Sequence, residues 1–112
     1  MEVTRRSSPF GAPSRTRVLT ALELLGESYP RELARLLRTS LSAVQKAVTS
    51  LERDGMVAGR TVGRSRLISI DPRYFAGREL RAYVRRLIEA DPVMKERVVQ
   101  MRRRPRRTGK PL

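Results

Sequence analysis

The 112-residue sequence contains neither cysteine nor histidine. These two absences remove thiolate and disulfide chemistry, the imidazole base and the commonest soft-metal ligands together. No metal effector can be held through Cys or His, no cofactor is indicated, and most catalytic constellations are excluded. The acidic residues are scattered and mostly flanked by Arg, so no paired-carboxylate site is evident. An enzyme is the least favoured class. Aromatic residues make up only 4%, so a core must be built chiefly of Leu, Val, Ile and Ala, which suits helices better than a large sheet. No apolar run approaches the roughly 18 residues of a membrane span, and the opening MEVTRRSSPFGAP lacks the apolar segment of a signal peptide. The expectation is a cytoplasmic protein without a membrane partner.

What is abundant is positive charge. Twenty-five basic residues against eleven acidic ones leave a formal charge of +14, and so much like charge works against compactness unless a polyanion meets it. Nucleic acid is the natural partner. Nearly all the excess is Arg, with Lys only at Lys46, Lys95 and Lys110. Arg forks suit phosphate oxygens and guanine edges, although a GC-rich genome also enriches Arg.

The chain has room for one modest domain with loose ends. Residues 1–13 carry Pro9, Gly11 and Pro13 among Ser and Arg and read as a flexible N-terminal arm. From Ser14, the residues Val18, Leu19, Ala21, Leu22 and Leu25 fall on one helical face, and Gly26 sits where a helix would stop. Pro30 suits a first helical position, and Leu33, Ala34, Leu36 and Leu37 give a short second helix. Arg38-Thr39-Ser40 interrupts it. Ser40 is a good N-cap for a third helix with Leu41, Val44, Ala47, Val48 and Leu51 as its apolar stripe, ended by Asp54-Gly55. Residues 56–70 read as a β-hairpin turning at Val62-Gly63-Arg64-Ser65. Helical periodicity returns from Gly77, and Asp91-Pro92 resembles the start of one more helix over 92–104. Residues 105–112 read as a disordered basic tail.

Helix, short helix, three-residue turn, longer helix and hairpin is an order with a meaning. The stretch PRELARLLRTSLSAVQKAVTSLERDGMVAGRTVGRSRLISID, within a match over about residues 15–75, resembles the winged helix-turn-helix regulators of the ArsR and MarR kind. A lone Leu-Ala-x-x-Leu would mean little. The ordered set, with Asp-Gly before a basic hairpin, is more specific. The resemblance implies a mostly α fold with a small β-hairpin wing, a three-helix core over residues 14–76 and a C-terminal helical region over 77–104. It does not carry everything over. Metal-sensing ArsR members bind their effector through Cys and His, which this chain lacks, and MarR-like members hold a ligand against a larger helical region than residues 77–104 provide.

The helical period then nominates an interface with duplex DNA. If Val44, Val48 and Leu51 face the core, a rotation of about 100° per residue puts Ser42, Lys46, Thr49 and Arg53 on the opposite face, flanked by Gln45 and Ser50. An α-helix fits the major groove and its N-terminal residues reach deepest in this motif. Ser42, Gln45 and Lys46 are therefore expected at base edges, and Thr49 and Arg53 at phosphates. Around the hairpin turn, Arg60, Arg64 and Arg66 suit the adjacent minor groove or backbone. Any one of these residues could equally belong to an ordinary solvated surface, and a hairpin edge can carry Arg merely to block strand association.

The helix over residues 78–90 carries Leu80, Tyr83, Val84, Leu87 and Ile88, a stripe expected to exceed what the three-helix core can cover. That excess points to a homodimer, which also suits DNA half-sites one turn apart. Residues Arg102 to Lys110 add a basic arm that raises non-specific affinity. The leading expectation is a sequence-specific, duplex-DNA-binding transcriptional regulator. The alternative is an accessory or architectural nucleic-acid binder with little specificity; a protein-interaction module is argued against by Lys46 and Arg53.

Overall fold

The computed structural model describes residues 10–103; the expectations for residues 1–9 and 104–112 fall outside them. Helix α1 (Pro13–Leu25) begins with proline, whose missing N–H is no loss in a first turn, and ends at Gly26 with φ 87°, where the Gly26 amide donates to the Leu22 carbonyl at 2.7 Å. A two-residue strand β1 (Glu27–Ser28) follows. It is too short to leave a periodic signal. Helix α2 (Pro30–Leu37) is capped by Glu32, whose carboxylate accepts from the Tyr29 amide at 3.2 Å and from the Ser28 hydroxyl at 2.8 Å. Arg38 adopts the left-handed conformation (φ 55°) and closes α2.

Helix α3 (Leu41–Arg53) starts as the sequence predicts, with the Ser40 hydroxyl accepting from the Ala43 amide at 3.0 Å. It ends at Asp54, and Gly55 (φ 78°) lets the Met56 amide return to the Leu51 carbonyl at 3.0 Å. Strands β2 (Val57–Val62) and β3 (Ser65–Ile70) pair antiparallel about Gly63-Arg64, with Gly63 at φ 64°. β1 pairs with the other edge of β3, giving the order β1-β3-β2. Helices α4 (Gly77–Glu89) and α5 (Pro92–Arg103) complete the described chain, the Asp91 carboxylate capping α5 through the Met94 amide at 3.1 Å.

One core joins these elements. Leu19, Leu22, Leu33, Leu37, Val44, Leu51, Ile68 and Ile70 come from α1–α3 and the sheet, and Leu80, Val84, Ile88, Met94 and Val98 from α4 and α5. This corrects the expectation that the α4 stripe exceeds what one chain can bury. Leu80, Val84, Leu87 and Ile88 are all buried within a single copy; only Tyr83, 45% exposed, is left at the surface. The physical reason is that α1 offers two faces: one packs on α3, the other on α4. Phe10, assigned from sequence to a loose arm, is partly buried against the core with its ring centroid 5.7 Å from that of Tyr83. Its carbonyl accepts from Arg15 Nε at 2.5 Å.

Candidate nucleic-acid interface

Helix α3 divides as its periodicity predicts. Val44, Ala47, Val48 and Leu51 are buried, while Ser42, Gln45, Lys46, Thr49 and Arg53 are all exposed. None of these five side chains makes a hydrogen bond or ion pair with another described residue. A row of unspent donors on a helix held rigidly by its inner face is what reading base edges and phosphates requires. Ser50, placed from sequence at the flank of this face, is turned inward instead, where its hydroxyl accepts from Arg15 Nη1 at 2.5 Å.

The three wing arginines share exposure but not availability. Arg64 occupies the turn itself and has no acidic partner among the described residues. Arg60 lies 3.7 Å from Glu27 of β1, both side chains at least half exposed. Arg66 is held by Glu52 of α3, each terminal nitrogen donating to one carboxylate oxygen. The hydrogen bond and the charge of Glu52 push the Arg66 guanidinium above its ordinary range, outweighing a small desolvation in the other direction.

Sequence reading missed two groups of arginines. Arg31, Arg35 and Arg38 are exposed along α2 and into its cap, at spacings that share one helix face, and none has a described acidic partner within ion-pair distance. Arg38 stands two residues before Ser40 and so borders the N-terminus of α3. The second group is spent internally. Arg17 donates to the Leu37 carbonyl at 2.6 Å and Arg97 to the Leu36 carbonyl at 3.2 Å, both closing the C-terminus of α2. Arg102, expected from sequence to begin the basic arm, instead lies on α5 and does the same for α1 through the Leu24 and Leu25 carbonyls at 3.1 and 3.2 Å. Terminal carbonyls lacking intrahelical partners, at the negative end of the helix dipole, favour such cations. Desolvation, then Arg38 and Arg17, lower the Arg97 pKa below its ordinary value. Basic composition alone could not separate these structural arginines from the outward ones.

No family model and no curated protein matches the sequence. Solved structures do. The chain superposes on the adhesin competence repressor AdcR of Streptococcus pyogenes with a TM-score of 0.57 at 19% identity, covering 78% of this chain and 65% of that one. It superposes on YusO of Bacillus subtilis with a TM-score of 0.58 at 20% identity, covering 89% of this chain and 74% of that one. The fold is a winged helix-turn-helix. A mutant of ZitR from Lactococcus lactis in apo form gives a TM-score of 0.54 at 15% identity, covering 84% of this chain and 73% of that one. The chain thus spans slightly less than two thirds of the AdcR chain. Within this winged helix-turn-helix, α2 and α3 are the helix-turn-helix and β2–β3 is the wing.

Proposed function

We propose that this winged helix-turn-helix chain is a duplex-DNA-binding transcriptional regulator, with α3 in the major groove and the wing on the adjacent backbone or minor groove. The observation that carries the reading is the exposed face of α3, where Ser42, Gln45, Lys46, Thr49 and Arg53 stand together with no intramolecular partner among the described residues. Ser42, Gln45 and Lys46, in the first half of the helix, are assigned to base edges. Thr49 and Arg53 are assigned to phosphates, with Arg64 at the wing tip and Arg60 and Arg66 behind it. Arg31, Arg35 and Arg38 join them as phosphate contacts from α2. A two-fold dimer through residues 78–90 belongs to the same proposal, resting now on exposed Tyr83 rather than on the buried stripe. Sedimentation of the free protein at micromolar concentration tests that part: a dimer supports it and a monomer removes it.

The charge of +14 favours one competing reading, an architectural binder with slight sequence preference. Immunoprecipitation of the tagged protein with its bound genomic DNA, followed by fluorescence anisotropy on enriched and random duplexes, separates the two. A regulator binds the enriched sequence at least about 10³-fold more tightly than random DNA. Equal affinities support the architectural reading.

A further inference from the structure

Arg66 stands on β3 opposite Thr61, two residues from the wing turn, yet its guanidinium does not reach outward with that of Arg64. It folds back across β2 to the last turn of α3. There Nη1 donates to Glu52 Oε1 at 3.3 Å and Nη2 donates to Oε2 more closely. The path crosses Gly59, and a Cβ at that position would run into the guanidinium and stand 2.8 Å from Ile68 Cδ1. Gly59 therefore keeps the route open. Glu52 itself is only 26% exposed, between buried Leu51 and outward Arg53, and is turned toward the wing rather than along the outer face.

We propose that Glu52 is a specificity-determining residue of the DNA interface: in the free protein its carboxylate holds Arg66 away from indiscriminate phosphate contact and fixes the wing against the recognition helix. The inference rests on the DNA-binding reading above. A fork-to-fork guanidinium–carboxylate pair is directional as well as attractive, so it sets an angle that a single point charge would not. A phosphate that takes Arg66 must replace one anion by another and leave Glu52 beside it. Random DNA thus gains little from Arg66. A site that seats α3 fully, and brings the wing to its groove, can use both the fixed angle and the free Arg64. Arg60 and Glu27 repeat the arrangement more loosely, at 3.7 Å.

Two measurements on the full chain test this. In the DNA-free protein labelled with nitrogen-15, the Arg66 Nη–H signals should be sharp and slow to exchange, and Glu52→Gln should broaden them or speed their exchange. By fluorescence anisotropy on a random duplex, Glu52→Gln should tighten binding several-fold and steepen the slope of log affinity against log salt by about one unit, as one more counterion is released. The ratio of preferred to random affinity should fall. In an Arg66→Gln background the same Glu52→Gln change should do none of this. If Glu52→Gln folds poorly, the wild-type protein still tests the proposal: Arg66 guanidinium N–H signals that are broad and exchange as fast as those of exposed Arg64 overturn it. An unchanged salt slope in folded Glu52→Gln overturns the proposal, as does an equal gain with and without Arg66. Failure of the wild type to bind any duplex overturns the DNA reading instead, and the Nη–H signals still decide whether Glu52 holds Arg66.

Discussion

Arg15, on the first turn of α1, reaches Asp54, the residue that ends α3, with Nη2 2.8 Å from the carboxylate. The same guanidinium donates to the Ser50 hydroxyl and the Phe10 carbonyl, and its side chain is only 14% exposed. One side chain thus anchors the segment before α1 to the end of α3. Replacing Arg15 by Met should lower stability by about 2 kcal/mol, since it removes the guanidinium's charge-assisted hydrogen bonds and leaves the partly buried acceptors without their donor. Asp54, half exposed, is screened by solvent, so Asp54→Asn should cost under about 1 kcal/mol. Urea denaturation of both variants checks the order.

A second relationship on α1 runs the other way. The Thr16 hydroxyl is fully buried and has no hydrogen-bond partner among the described residues. Burying such a group without a partner costs free energy that a methyl of the same shape does not. Thr16→Val should therefore be neutral or stabilising by about 1 kcal/mol. A clear drop in the urea midpoint would show that the hydroxyl is satisfied in solution.

Leu87 gives the third prediction. It is 9% exposed on the inner face of α4, so Leu87→Glu buries an unpaired carboxylate and should cost about 3 kcal/mol or more. Loss of far-UV circular dichroism and of the cooperative urea transition is expected. A folded protein that changes only its oligomeric state would show that α4 does not pack as described.

These cases show which parts of the molecule were legible in the sequence. Helix limits at Gly26, Ser40, Gly55 and Pro92 are set by chemistry within about four residues of each end, and they appear where local reading puts them. The two faces of α3 follow from its period in the same way. Contacts between distant residues were not legible: Phe10 on Tyr83, Arg97 on the α2 carbonyls and Arg66 on Glu52 depend on three-dimensional closure. The size of the core was also misjudged. Counting α4's stripe as surplus overlooked that α1 has a second face to cover, which only packing reveals.

Salt dependence follows from the outward cations. If a complex neutralises about 6 to 10 phosphates, affinity should fall about 10³ to 10⁵-fold between 50 and 200 mM salt as condensed counterions are released. Fluorescence anisotropy over that range measures it, and a flat titration would contradict a phosphate-based interface.

The most direct test of the recognition helix compares single substitutions on two DNAs. Gln45→Ala and Lys46→Ala should each lose about 1 to 3 kcal/mol of binding on the genomically enriched duplex and clearly less on a random one. Arg64→Ala, at the wing tip, should weaken both duplexes alike and flatten the salt slope by about one unit. That division between helix and wing is what the account predicts. Equal losses on both DNAs for Gln45→Ala and Lys46→Ala, with the proteins still folded, would contradict the assignment of α3 as the reading surface.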